Sequence, residues 1–452
     1  MGAFHAYDIR GIYNVDFNRN DVYRIGYFLP KLLGSDKILI GRDVRESSPE
    51  IREWLIRGIL DSGAHAYDIG ESTTPMLYFA TVKLNFSASV QITASHNPKE
   101  YNGLKVSRED AIPVGFDTGL GKLKEMVEGG RVIPVEANKR GELHMVDIRR
   151  DYIAFLESYK VDLSNLRCAI DLSNGMVATL IKDLLGEESE SLLYLFDTPD
   201  GTFPNHDPNP LDPKNIVDLQ RKVIQNSCDI GVIFDGDGDR VMFVDESGRF
   251  ISPDLIIALM AHYFVEERNL KGAVLQDIRS SKSIKEYLEP FGVELHTWKV
   301  GRAFAALKLR ELDGVWGGEL AGHYYFREFF YSDSGLMAAL IVLRVVSKMK
   351  ERGVSLSSLI SKIELYHNSG EINFKIQKKQ EAMDAVKEYF LANERAVATF
   401  DFDGYRVEFD QWWFNIRPSN TEPYLRFLAE AKSKSILDSR VEKVKELLAH
   451  FQ

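Results

Sequence analysis

Residues 235–240 read Asp-Gly-Asp-Gly-Asp-Arg, three carboxylates at alternate positions between the apolar runs 230–234 and 241–244. Both runs are rich in β-branched and aromatic residues, so two strands meet at a tight turn that aims acidic side chains at one spot. Like charges held that close repel, and a divalent cation would neutralise them. Oxygen ligands with no His or Cys beside them favour Mg²⁺ over zinc. A calcium loop of the EF-hand kind would place Glu246 at its twelfth position, but it needs Gly where Arg240 stands and helices where these strands stand. A plain acidic hairpin turn stays open as the reading of this segment alone.

Four further segments carry groups that could do chemistry. Thr93-Ala-Ser-His-Asn-Pro98 follows a strand-like run at 88–92 and exposes Ser95 on a loop. Adjacent residues on an extended chain point opposite ways, and no Gly-x-Ser-x-Gly elbow is present, so an acyl-transfer triad is not expected. Ser95 could instead carry a phosphoryl group, which needs a metal and a basic shell. Lys105, in Asn102-Gly-Leu-Lys-Val106, and Arg10, in Tyr7-Asp-Ile-Arg-Gly11, are candidates for that shell, though each segment alone favours an exposed cation. Gly317-Gly-Glu-Leu-Ala-Gly-His323 is a Gly-rich loop whose Glu319 can bond sugar hydroxyls and whose His323 can carry a proton near neutrality. Arg417-Pro-Ser-Asn-Thr-Glu-Pro423 gathers a cation, two hydroxyls and an amide, a sensible phosphate cradle or an ordinary rigid loop.

The elements that must position these groups alternate. Apolar runs at 37–41, 168–172 and 273–276 precede helical patterns at 49–62, 177–185 and 283–291, which argues for α/β units with partly parallel sheets. The tail differs: strand signals at 404–409, 412–416 and 425–429 lead into an amphipathic helix over 436–451. Loop composition near 137–150, 246–253 and 366–371 marks boundaries. The chain of 452 residues is therefore expected to form domains over 1–147, 148–248, 249–367 and 368–452. No short sequence repeat is visible.

Composition narrows the class. Hydrophobic content of 44% and charged content of 27% describe an ordinary globular chain. A net charge of −11 argues against a general nucleic-acid surface. Cys168 and Cys228 lack metal-motif or disulfide spacing, and the N-terminus lacks a signal-peptide pattern, so a cytoplasmic location is expected. Position six is Ala6 where a myristoylation signal wants Ser or Thr. The longest apolar stretch, 335–343, is too short for a membrane span.

Taken together, these segments resemble the α-D-phosphohexomutase family, in its phosphomannomutase/phosphoglucomutase branch. The likeness runs from Tyr7 to Pro423, with the phosphoserine, metal, sugar and phosphate loops in the family's order. The resemblance implies three similar mixed-sheet α/β domains and a smaller C-terminal α+β domain around a central cleft. It implies a phosphoserine at Ser95 and one Mg²⁺ held by that phosphate with Asp235, Asp237 and Asp239. Arg10 and Arg240 would support the moving phosphoryl group, and Lys105 and His323 would be proton-transfer candidates. Tyr7, Arg279, Arg302, Glu319, His323, Arg417, Ser419, Asn420 and Thr421 would bind substrate.

The implied reaction interconverts hexose 1-phosphate and hexose 6-phosphate through a hexose 1,6-bisphosphate, which also serves as activator. The implied partners are sugar phosphates, with no nucleic acid or membrane, and the chain a monomer or homodimer. Departures from the family pattern fall at Ala321, where Ser is usual, at Arg302 in Lys299-Val-Gly-Arg302, where His is common, and at Arg279, where Lys is common. Gly238 and Asn420 resemble the hexose branch more than the phosphoglucosamine mutase branch. A Mg²⁺-dependent sugar phosphatase and an inert sugar-phosphate-binding protein are the alternatives from other classes.

Overall fold

The computed structural model describes residues 2–160, 162–419 and 424–451, and these form four sheets. The first runs in space as Ile9–Ile12, Tyr101–Arg108, Ala88–Ile92, Lys37–Arg42, His65–Glu71 and Leu143–Met145. The second runs as Phe250–Ile251, Val241–Asp245, Ile230–Phe234, Cys168–Asp171 and Leu192–Leu195. The third runs as Glu294–Trp298, Ala273–Asp277, Trp316–Gly318, Tyr324–Phe326 and Ser332–Asp333. The three are mixed, and helices connect their parallel strands, as parallel crossovers require.

One strand in each mixed sheet is where direction reverses. Ala88–Ile92, Ile230–Phe234 and Trp316–Gly318 each pair parallel on one side and antiparallel on the other. Each of these strands is buried along its whole length and so is pinned on both faces. The hairpin that follows each one carries a chemical segment: Ser95, the Asp235–Asp239 triplet, and Glu319 with His323. Three separate stretches of sequence thus deliver their functional loops from equivalent places.

Two helices hold these loops against one another. Thr74–Lys83 is buried from Thr74 to Thr81, and the Thr74 N–H donates to the Asp237 carbonyl at 3.0 Å. Gly335–Glu351, the stretch too short to be a membrane span, is instead a core helix capped by Ser334. Its Gly335 N–H donates to the Gly238 carbonyl at 3.2 Å, and a Cβ there would sit 2.8 Å from the carbonyl oxygens of Gly238 and Arg240. Among the described residues, no helix is long and apolar enough to cross a membrane.

The fourth sheet is wholly antiparallel and is built on Tyr424–Ala431, Trp412–Pro418, Tyr405–Glu408 and Ala398–Phe400. His367–Asn368 and Ile372–Lys375 both add to Tyr424–Ala431, short strands that the sequence pattern does not announce. Helices Lys379–Asn393 and Lys434–Ala449 cover it, giving this unit a core of its own around Phe390, Trp412 and Phe414.

Candidate active site

Ser95 leaves its strand in the left-handed region, at φ 52°, with its N–H donating to Thr93 Oγ1 at 2.9 Å. The segment is therefore not extended there, and His96 does not point away: its Nδ1 lies 3.4 Å from Ser95 Oγ. Burial, with Arg240, Arg10 and Lys105 nearby, drives the His96 pKa well below its usual value and keeps the ring neutral. Beneath the loop lies Arg45, wholly buried and paired with Asp43 at 3.1 Å. Its guanidinium donates to the carbonyls of Ser95, Asn97, Pro98 and Tyr101.

Ser95 Oγ donates to Asp235 Oδ2 at 2.9 Å, which joins the first hairpin to the second. Asp235, Asp237 and Asp239 are fully buried, and one oxygen from each lies within 4.8 Å of the others. Asp235 Oδ1 accepts the N–H groups of Gly238 and Arg240 at 3.0 and 3.2 Å. Asp237 Oδ2 accepts from Lys105 Nζ at 2.7 Å and from the Thr74 hydroxyl, and Asp239 Oδ2 also accepts from Lys105. The second oxygens of Asp237 and Asp239 are buried without a hydrogen-bond partner among the described residues.

Burial and the two neighbouring carboxylates push the Asp235 carboxyl well above the usual range. Burial raises Asp239 too, but Lys105, paired with it, outweighs burial and holds Asp239 low. Burial opposes the charge on Lys105, yet Asp237 and Asp239 raise its pKa far above normal. An all-oxygen donor set with two orphaned buried carboxylate oxygens fits a hard divalent cation such as Mg²⁺.

Cations ring this centre. Arg10 donates to Asn97 Oδ1 at 2.8 Å and pairs with Asp8, while its buried Nε has no partner among the described residues. Arg240 Nε donates to His323 Nε2 at 2.9 Å, and the Arg240–His323 backbone bridge ties the second hairpin to the third. His323 Nδ1 lies 2.7 Å from Asp333 Oδ2.

A second group of residues surrounds Glu319. Its Oε1 accepts from the Tyr325 hydroxyl at 2.5 Å and its Oε2 from the Gly301 N–H at 3.0 Å. Burial raises its pKa. Arg279 is paired with Asp277 at 2.7 Å and stands 3.9 Å from Glu319. Tyr7 donates to the Val300 carbonyl at 3.2 Å, and Gly301, at φ 115°, leaves room for the Tyr7 ring 2.9 Å from where a Cβ would be. Arg302 pairs with Asp333 at 2.9 Å, donates to the Ala111 carbonyl at 3.3 Å and lies 3.9 Å above the Tyr78 ring.

From the fourth unit, Arg417 donates to Asp403 at 3.0 Å, and its buried Nε has no partner among the described residues. Asp403 accepts the Val300 N–H at 2.9 Å, so the two backbone groups of Val300 touch the fourth and first units. Ser419 stands just past the end of the same strand and is nearly buried. Asn420 and Thr421 lie outside the described residues.

The fold thus brings Ser95, the three aspartates, Lys105, Arg240 and His323 into one bonded network, with Arg10 beside it. Sequence reasoning passed over Arg45, Thr74, Tyr325, Asp333 and Asp403. The one signal for any of them is a repeated Asp-x-polar turn at the ends of Lys37–Arg42, Cys168–Asp171 and Ala273–Asp277. Asp43, Asp171 and Asp277 each accept the N–H of the residue two places on, at 3.1, 2.8 and 2.6 Å.

Four family profiles, for domains I, II and III and the C-terminal domain of phosphoglucomutase/phosphomannomutase, match residues 1–128, 150–248, 252–366 and 371–447. A phosphomannomutase of Methanocaldococcus jannaschii is 34% identical over 99% of this chain and 97% of its own. A protein of Xanthomonas campestris pv. campestris named phosphohexose mutases is 36% identical over 99% of both. The crystal structure of a phosphoglucomutase/phosphomannomutase family protein from Burkholderia thailandensis superposes with a TM-score of 0.87 at 27% identity, covering 99% of this chain and 97% of that one. Matched along its length in both sequence and fold, the chain belongs to the α-D-phosphohexomutase family and is an isomerase.

Proposed function

We propose that the protein interconverts hexose 1-phosphates and hexose 6-phosphates, of mannose, glucose or both, through a phosphoserine at Ser95 and a hexose 1,6-bisphosphate. The observation that carries this reading is the Ser95 hydroxyl, 2.9 Å from Asp235 in a buried triplet that keeps two carboxylate oxygens unpartnered. The names of the relatives support the sugar class. So does Gly238: at φ 76°, with a Cβ position 2.6 Å from Val177, it disfavours the Ala of the phosphoglucosamine branch.

Asp235, Asp237 and Asp239, with the Ser95 phosphate, would hold Mg²⁺, which supplies positive charge where the transferring oxygens develop negative charge. The chain's own residues do the rest. A sugar hydroxyl oxygen forms a bond to phosphorus as the bond to Ser95 Oγ breaks. The hydroxyl proton passes through His323 or Lys105 and ends on Ser95 Oγ. Arg10 and Arg240 offset the moving charge by forked donation. Arg417, with Ser419, Asn420 and Thr421, would hold the resting phosphate, while Tyr7, Arg279, Arg302 and Glu319 orient the sugar. After the bisphosphate turns round in the cleft, Ser95 takes back the other phosphate. A buried serine also keeps water from the phosphoryl group.

A phosphorus NMR time course tests this, with Mg²⁺, trace glucose 1,6-bisphosphate and, in separate tubes, mannose, glucose or glucosamine 1-phosphate. The expected result is growth of a 6-phosphate signal from mannose or glucose 1-phosphate. Free phosphate alone would indicate a phosphatase. No change in any tube would leave a sugar-phosphate-binding protein and end the mutase reading for these sugars.

A further inference from the structure

We propose that Asp333 is a positioning residue that fixes His323 in its Nδ1–H form, leaving Nε2 as the lone-pair atom toward the phosphoryl site. The role in catalysis rests on the mutase reading above. Two neighbours define the tautomer independently. Arg240 Nε can only donate, so His323 Nε2, at 2.9 Å, must accept. The proton then sits on Nδ1 and is donated to Asp333 Oδ2 at 2.7 Å. Asp239 Oδ1 is 3.8 Å from the same nitrogen, beyond hydrogen-bond range.

Asp333 is itself held. Its other oxygen accepts from Arg302 Nε at 2.9 Å, and its side chain is wholly buried on the edge strand opposite Tyr325. Burial would raise the carboxyl's pKa, but Arg302 outweighs that cost and lowers it to about 2. Arg302 is fixed in turn by the Tyr78 ring and the Ala111 carbonyl of the first unit. The chain Arg302–Asp333–His323–Arg240 therefore runs from the joint between the first and third units to the residue beside the aspartate triplet. Its consequence for reaction is directional. When Arg240 turns toward a phosphoryl group, Nε2 is the ring atom left free to take a proton from a sugar hydroxyl.

Asp333→Asn tests the assignment, because the amide oxygen can serve Arg302 only by turning its NH₂ group onto His323 Nδ1. Nitrogen-15 spectra of the full-length, histidine-labelled chain are recorded in Mg²⁺ buffer, with the His323 signals assigned by loss in His323→Gln. The wild type is expected to show Nδ1 protonated and Nε2 bare, and Asp333→Asn to show the reverse. The same variant is expected to lower kcat on the order of 10²-fold while KM changes less than about threefold. Asp333→Glu, which keeps a carboxylate, is expected to retain the Nδ1–H form and recover most of the turnover.

A wild type protonated at Nε2 would overturn the assignment, as would an unchanged tautomer in Asp333→Asn. If Asp333→Asn does not fold, the wild-type and Asp333→Glu spectra still decide it. The spectra need no substrate, so a wild type with one correct tautomer and no mutase activity would sink the functional reading alone.

Discussion

Arg45 places four carbonyls of the Ser95 segment by donating to each at 2.6–3.1 Å, from a position with no access to solvent. The Asp43-x-Arg45 turn is its one local mark, because the carbonyls it holds lie fifty residues and more downstream. Replacing it would strand those carbonyls and leave Asp43 without its guanidinium. Arg45→Met is therefore expected to lower the unfolding free energy by roughly 3–5 kcal/mol, read from urea midpoints. A loss below about 1 kcal/mol would show that the loop holds itself.

Ser95 is the opposite case. It and the aspartates were legible because their chemistry is contiguous along the chain, whereas Asp333 and Asp403 act only through partners that the fold supplies. Ser95→Ala is expected to cut mutase turnover by at least about 10³-fold while sugar-phosphate affinity, measured by calorimetry, stays within a few-fold. Turnover that survives the substitution would remove Ser95 from the phosphoryl path.

At the scale of elements, strands with β-branched runs and helices with one apolar stripe were readable, and the hairpins at 92–101 and 234–241 follow from them. Thr74–Lys83 was not readable, because a helix buried almost all round has no polar face to give it a period. The short strands of the fourth sheet were missed because two or four residues carry too little pattern. The metal hairpin also depends on a close approach that composition does not reveal. A Cβ on Gly175 would stand 2.7 Å from the Gly236 carbonyl oxygen and 3.2 Å from that of Asp235, both backbone atoms that cannot swing aside. Gly175→Ala should push the hairpin away from its neighbours and spread the three carboxylates. The expected outcome is at least tenfold weaker Mg²⁺ binding by calorimetry, with the melting temperature lowered by a few degrees. Unchanged Mg²⁺ affinity would mean that the hairpin's geometry is set from the Thr74 and Gly335 side alone.

Over the whole molecule, three units share one plan that no run of identical residues betrays. Only the reversing strand, its hairpin and the Asp-x-polar turn recur, so a search for repeated residues finds nothing while the topology repeats. The fourth unit joins this body through Arg406 and Glu430. Arg406 lies 3.8 Å over the Trp413 ring and donates to the Ile278 and Ser280 carbonyls of the third unit. Glu430 accepts from Trp413, Asn368 and, across the joint, Ser281 at 2.6 Å. Burial, with Asp254 nearby, raises the Glu430 carboxyl from 4.5 to about 7, against the pull of those three donors.

The folded chain therefore keeps this proton between pH 4.5 and 7 while the unfolded chain releases it. Stability attached to the protonated group is full below the lower value and lost as pH rises through the upper one, amounting to roughly 3 kcal/mol. Glu430→Gln keeps an oxygen acceptor and removes the titration. The difference in urea midpoint between the wild type and Glu430→Gln should thus move against the wild type as pH is raised from 5 to 8, and level off above that. A difference flat with pH would mean that Glu430 ionises inside the joint as easily as in water, and that its three donors outweigh its burial.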